Sequence, residues 1–180
     1  MKFIAKVILI IFVFCIILLN SCTNKNLLVK DDSDITAYRK SQEDNIRETV
    51  FYYKFKQAVS RFSLQNNDVV YFISFGGRRQ DKYEEIDPSD SFMERFKTNI
   101  PAVKKVSQCK INELLRVEDK DTGKTGVIFR VNDITWLNDS EVLAEGNSFL
   151  DSLAGWGSTY RLILKDKKWL MIEEIPRWDS

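Results

Sequence analysis

Phe51, Phe55, Ala58 and Phe62 recur at intervals of four, three and four, which lines them up on one face of a helix. Ile46, Val50 and Tyr53 widen that face. Ser41-Gln42-Glu43-Asp44 ahead of it approximates a capping box, with Asp44 where Glu or Gln is usual. Acids gather near the start (Glu43, Asp44, Glu48) and bases near the end (Lys54, Lys56, Arg61), as the helix dipole favours. The pattern predicts a long helix from Ser41 to about Phe62. A stripe this aromatic has to be buried, and the chain beyond Phe62 offers strands to bury it against.

Asn66-Asn67-Asp68 turns the chain into Val69–Phe75, a run rich in β-branched and aromatic residues that reads as a strand ended by Gly76-Gly77. Asp87-Pro88 then offers an N-cap with proline at the first helical position. Phe92 and Phe96 give that short helix its core face, and Asn99-Ile100-Pro101 stops it. From Val103 onward the pattern is strands and turns. Val103–Val117 reads as one long or broken strand, Asp119–Gly123 as a turn, and Val127–Val131 as a strand with room to extend to Leu137. Asn138-Asp139-Ser140 turns the chain into Glu141–Phe149, Leu150–Gly157 reads as a loop, and Thr159–Lys165 pairs with Trp169–Ile175. A two-residue turn at Asp166-Lys167 calls for positive φ at both positions, which suits Lys167 less than it would glycine.

The opening of the chain has a different character. Lys2 and Lys6 flank a basic start, Val7–Leu19 is unbroken apolar sequence, and Ser21 precedes Cys22. A charged start, a short apolar segment and a small-residue cut site are the parts of a secretory signal. The run is shorter than the about 20 apolar residues a spanning helix needs. Leu19-Asn20-Ser21-Cys22 resembles the lipobox of bacterial lipoproteins. That resemblance implies cleavage between Ser21 and Cys22, a diacylglycerol on the Cys22 sulfur and an acyl group such as palmitate on the new amino terminus. It makes residues 1–21 a signal peptide and places the protein in a bacterial cell envelope, bound to a membrane through Cys22. In a cell with two membranes, Thr23 after Cys22 implies the periplasmic side of the outer membrane. Residues 22–40 are polar and aperiodic, with the cluster Lys30-Asp31-Asp32-Ser33-Asp34, and read as a tether. As a flexible coil it would reach roughly 20–25 Å on average. Residues 41–180 make the folded domain.

Composition narrows the chemistry. Without residues 1–21, which carry two lysines and no acid, the formal charge of +1 falls to −1, so no basic field marks nucleic acid as a partner. The chain has no histidine, which removes the usual general base near neutral pH and the commonest metal ligand. Of three cysteines, Cys15 leaves with the signal and Cys22 is lipidated, so Cys109 stands alone as a small buried hydrophobe. Asp119-Lys120-Asp121-Thr122-Gly123 fails as a calcium loop, because its glycine comes one position early and Arg130 stands where the bidentate Glu belongs. Gly76-Gly77-Arg78-Arg79 lacks the Lys-Ser/Thr pair of a phosphate loop and reads as a turn. Neither a metal nor a cofactor is implied.

One long helix, a strand, a short helix and a meander ending in a hairpin make an α+β layout. In element order, and in the ending Gly157-Ser158-Thr159-Tyr160-Arg161-Leu162 … Lys165-Asp166-Lys167-Lys168-Trp169, it resembles the NTF2-like (cystatin-like α+β) superfamily over Ser41 to Trp178. The resemblance implies a curved antiparallel sheet of about five or six strands rolled around the helices, leaving a cone-shaped cavity. Enzymes of that superfamily move protons with a cavity Asp, Tyr or His. Here Tyr160 and a carboxylate from Asp133, Glu145 or Glu173 are the residues to match, although no spacing brings them together. Trp136, Trp169 and Trp178 suit a core or its rim. Trp156, in Ala154-Gly155-Trp156-Gly157-Ser158, suits recognition from a loop tip. The sequence thus points to an envelope binding or accessory module for a small ligand or an envelope protein. The alternatives are a small-cavity enzyme using Tyr160 and a protein–protein scaffold. Trp136, Trp156 and Tyr160 are the candidate cavity or recognition residues.

Overall fold

The computed structural model describes residues 32–62, 68–76, 78–79, 82–152 and 154–179. Ser21 and Cys22, and with them the cleavage and lipidation expected there, lie outside the described residues. Helix α1 spans Asp32–Phe62, so it begins inside the stretch read as a tether and not at Ser41. Ser41 does not cap it; its hydroxyl donates back to the Tyr38 carbonyl at 2.6 Å, a bond made within a running helix. The larger compact unit is Tyr38–Ser180.

Strand β1 is Val69–Ser74, followed by a two-stranded ribbon of β2 (Arg78–Arg79) and β3 (Lys82–Tyr83). Helix α2 is Asp90–Met93, extended by a 3₁₀ turn over Glu94–Phe96. Its cap is Ser89, whose Oγ accepts the Phe92 N–H at 3.2 Å, and not Asp87. Asp87 instead accepts the Ser107 N–H at 2.9 Å. The stretch read as one strand is three pieces, β4 (Val103–Lys105), β5 (Cys109–Ile111) and β6 (Val117–Asp119), with a 3₁₀ turn at Val106–Gln108. Four long strands complete the chain: β7 (Thr125–Asn138), β8 (Glu141–Asp151), β9 (Ala154–Lys165) and β10 (Lys168–Asp179). The Asp166-Lys167 turn has φ of 51° and 63°, the positive pair that a two-residue hairpin requires.

The NTF2-like reading is overturned by the sheet. Eight strands run in the order β10-β9-β8-β7-β1-β4, with β6 on β7 and β5 on β6, and the sheet is neither strongly curled nor closed. It is also mixed. β7 to β10 form an antiparallel meander, but β1 pairs parallel to β7 (Val69↔Thr125 through Ser74↔Arg130) and parallel to β4 (Tyr71↔Val103). A curved antiparallel roll of five or six strands is therefore not what the chain builds; two helices pack on an open mixed sheet.

Burial accounts for the difference. Every residue of β1 is buried, and alternate side chains enter two separate cores. Val69, Tyr71 and Ile73 join the helix-side core with Ile46, Val50, Phe51, Phe55 and Ala58 of α1, Phe92 and Phe96, and Phe129, Trp156 and Tyr160. Val70 and Phe72 join Val106, Val117 and Ile128 on the opposite face, with Cys109 and Phe149 against them. A strand covered on both faces reads as a continuous apolar run whichever way its neighbours run. The aromatic stripe of α1 meets α2 edge-on, Phe51 lying 6.2 Å from Phe92 and 6.1 Å from Phe96 between ring centroids.

Candidate functional site

The face of the sheet turned away from α1 carries a groove whose floor is one row of opposed residues. Arg130 of β7 stands opposite Asn147 of β8, Asn147 opposite Gly157 of β9, and Gly157 opposite Trp178 of β10. Opposed residues share a face, so sheet register alone assembles this row from four strands. Gly157 is required by close approach: a Cβ there would lie 2.3 Å from Trp178 Nε1. The indole therefore packs directly against the β9 backbone at Gly157 while Trp178 stays 44% exposed.

Arg130 is 6% exposed and fully engaged on the side that faces the protein. Its Nε donates to Glu85 Oε1 at 2.8 Å, its Nη2 donates to the same oxygen, and its Nη1 donates to Asn147 Oδ1 at 3.0 Å. Ser74, opposite Arg130 in β1, holds the Glu85 segment in place, since its Oγ accepts the Ile86 N–H at 3.1 Å and the Gly76 N–H at 3.0 Å. Farther along, Arg177 pairs with Glu145 at 2.6 Å. The Asn132 side-chain oxygen is buried with no hydrogen-bond partner among the described residues.

Three neighbouring hollows lie on this face, the first two of them along this row. One of about 250 Å³ lies among Asn132, Glu145, Asn147, Gly157, Arg177 and Trp178. A second of about 250 Å³ is bounded by Glu85, Ile111, Arg130, Asn147, Phe149 and Trp178. A third of about 480 Å³ is bounded by Glu85, Asp87, Val106, Cys109, Ile111 and Ile128. Asn147 and Trp178 line both the first and second, and Glu85 and Ile111 both the second and third, so the three are neighbours along one groove-like stretch of this face. The first hollow is polar and carries both charges; the second and third are mostly apolar, with Glu85 on both and Asp87 on the third. Burial first, then the Glu85 carboxylate, push the Cys109 thiol up to about 11 against the opposing pull of Lys120 and Arg130, so the thiol is protonated near neutral pH.

The residues singled out from the sequence lie elsewhere. Trp156 is not on a loop tip; it belongs to β9 and is 3% exposed in the helix-side core, 6.4 Å from the Phe129 ring centroid. Tyr160 is fully buried, and its hydroxyl accepts a hydrogen bond from Lys54 Nζ at 3.1 Å. Trp136 is half-buried near the end of β7, 5.6 Å from Trp169 and 6.3 Å from Tyr38 between centroids, with the Arg39 guanidinium 5.4 Å over its ring. Asp133 is exposed, Glu145 pairs with Arg177, and Glu173 pairs with Arg161 at 3.6 Å. The carboxylate beside Tyr160 in the sheet is Glu174, its register partner on β10. Glu174 accepts from the Tyr53 hydroxyl at 3.1 Å, from Ser158 Oγ at 2.8 Å and from the Gln57 amide.

Lys54 is the largest departure from the sequence reading, which placed it among the bases that the helix dipole favours near the end of α1. It is fully buried, its ammonium 5.4 Å from the Trp156 centroid and 5.2 Å from that of Tyr160. The signal was there: position 54 falls between Val50, Phe51, Phe55 and Ala58 on the apolar stripe. Arg130 carried a similar signal, a single charge inside Val127-Ile128-Phe129-Arg130-Val131. Among the described residues no cluster of metal-ligating side chains occurs, and no helix is long and apolar enough to cross a membrane. No protein family, curated protein or solved structure matches the chain.

Proposed function

We propose that this chain is a lipid-anchored protein of the bacterial envelope whose α+β domain is a binding module, with the outer-face groove as its binding surface. The observation that carries the anchoring is Leu19-Asn20-Ser21-Cys22 directly after the apolar run Val7–Leu19. Two or more acyl chains on the mature amino terminus hold a domain at a bilayer stably, where a single chain does not. In a cell with two membranes the reading places the domain on the periplasmic side of the outer membrane.

Two features favour binding over proton-transfer chemistry. Tyr160 is packed beneath α1 against Lys54, and none of Asp133, Glu145 or Glu173 bonds to it. The groove, by contrast, opens to solvent with an aromatic wall at Trp178, planar amides at Asn132 and Asn147, and an apolar end at Ile111 and Phe149. An apolar hollow with a few fixed polar groups suits a small ligand or a short segment of another envelope protein.

Metabolic labelling with an alkyne analogue of palmitate tests the anchor. Label is expected on the wild-type chain and absent from Cys22→Ala, and the intact mass should correspond to a chain beginning at an acylated Cys22. An unlabelled wild type, or a mass that retains residues 1–21, refutes the proposal.

A further inference from the structure

Two irregularities of strand pairing frame the first hollow. On β7 the register slips between Val131 and Ile134, so Asn132 and Asp133 together oppose Glu145 of β8. On β10 it slips between Pro176 and Trp178, which leaves Arg177 without a register mate on β9. An extra residue breaks the regular alternation and re-aims a side chain, which is why bulges recur beside binding sites. Here both bulges put a side chain, Asn132 and Arg177, on the same hollow. The charges there are paired, Arg177 with Glu145 at 2.6 Å and Arg130 with Glu85, so the hollow favours neither an anion nor a cation.

Two bonding positions are left over. Asn147 is 8% exposed, and its Oδ1 accepts from Arg130 Nη1 at 3.0 Å. A guanidinium only donates, so that bond fixes which end of the amide is oxygen, and the Nδ2 donor has no partner among the described residues. Asn132 is the converse, a buried acceptor that no described residue satisfies. The two residues are diagonal neighbours across β7 and β8. A secondary amide presents its N–H and its C=O on opposite sides, and so fits between a lone acceptor and a lone donor. Beside them Trp178 packs on Gly157 and borders both the first and the second hollow, a surface for the apolar C–H face of a saturated ring. The second hollow adds Ile111 and Phe149, where a methyl group would leave water. At about 250 Å³ the first hollow lies below the about 300–1,000 Å³ of pockets for drug-sized ligands, which suits a single ring.

An uncharged ring with one apolar face, a secondary amide and a methyl group occur together in an N-acetylated amino sugar. We infer that the first hollow takes one N-acetylhexosamine ring. Its acetamido N–H donates to Asn132 Oδ1, its acetamido oxygen accepts from Asn147 Nδ2, and its ring stacks on Trp178. The inference rests on the reading of this face as a binding surface and narrows it to one ligand chemistry. The test is saturation-transfer NMR on the full chain in phospholipid nanodiscs, with empty nanodiscs as the blank and the methyl glycoside of N-acetylglucosamine as the probe. Methyl glucoside keeps the ring without the acetamide, and N-acetylalanine methylamide keeps the acetamide without the ring. The acetamido sugar should bind about tenfold more tightly than either, with its strongest saturation at the acetamido methyl. Asn147→Asp keeps the acceptor for Arg130 but turns an oxygen toward the sugar carbonyl, and should weaken binding about tenfold. Trp178→Ala, at an exposed side chain, should do the same and carries the comparison if Asn147→Asp lowers stability. A comparator that binds as tightly as the acetamido sugar, or a folded variant that binds as the wild type does, overturns the proposal. Absence of sugar binding also overturns it: where anilinonaphthalene sulfonate still binds in a Trp178-dependent way, the groove survives as a binding surface, and where it does not, that reading falls too.

Discussion

The Lys54 ammonium donates to the Tyr160 hydroxyl at 3.1 Å, and both side chains are completely buried. Tyr160→Phe removes that acceptor and leaves a cation in the core with one partner fewer. The expected cost is about 1–3 kcal/mol. Adding Lys54→Met to Tyr160→Phe should recover most of it, because a buried charge replaced by an apolar side chain of similar volume is often neutral or better. Urea unfolding of the two single variants and the double variant measures the coupling. Additive losses would show that the bond contributes little.

Trp156 of β9 and Trp178 of β10 should behave oppositely. Trp156 is 3% exposed and Trp178 44%. Trp156→Ala empties a core position and should cost about 3–5 kcal/mol in urea unfolding. Trp178→Ala should cost far less and instead weaken binding of the dye anilinonaphthalene sulfonate, a probe for the groove, in a fluorescence titration. A Trp178→Ala protein that binds the dye as the wild type does removes this residue from the binding surface.

Cys109 gives a prediction in alkali. Its thiol ionises at about 11 in the fold against 9.0 for a free thiol, so the folded state retains the proton more strongly. The stability this contributes is complete below pH 9.0 and is lost as pH rises toward about 11. Cys109→Ala should flatten the fall in thermal stability over that window. At pH 8 the native thiol should react with iodoacetamide much more slowly than the unfolded one.

Asp119 gives the corresponding prediction in acid. Burial raises its pKa, but hydrogen bonds from Thr122 and Lys104 together with the Lys104 charge outweigh that and hold the carboxyl below 3.8. Both carboxylate oxygens accept from Lys104 Nζ at 2.9 Å, and the Asp119 side chain is fully shielded from solvent. The contribution is present above pH 3.8 and is lost as pH falls through the lowered value. Lys104→Met should cost about 2 kcal/mol at neutral pH and shift acid unfolding to higher pH. Far-UV circular dichroism against pH reads the midpoint.

The elements that pattern reveals are those whose periodicity is uniform. The stripe Phe51-Phe55-Ala58 located α1 because its partners all lie on one side, and the two-residue turn at Asp166-Lys167 between Thr159–Lys165 and Trp169–Ile175 located the last hairpin. Strand direction was not legible: Val69–Ile73 is equally apolar whether its neighbours run with it or against it, and direction decides between an antiparallel roll and this mixed sheet. The glycines around Trp156 suggested a mobile loop, but Gly157 serves to seat Trp178, and the loop is an extended strand. The groove was beyond sequence reading because its parts are far apart in the chain. Glu85 meets Arg130 across 45 positions, and only sheet register sets Asn147 beside both Arg130 and Gly157.

The placement of β1 sets an order of assembly. Strands β7 to β10 connect through tight turns and can zip to one another as soon as they exist, at small loop-closure cost. β1 leaves the ribosome before any of them, yet its register mates begin at Thr125. Until β7 is made, Val69–Ile73 has no neighbour on that side and is a sticky apolar ribbon. The two cores that share β1 therefore close only after Thr125–Arg130 has been made, and everything translated before then waits on a strand encoded far downstream.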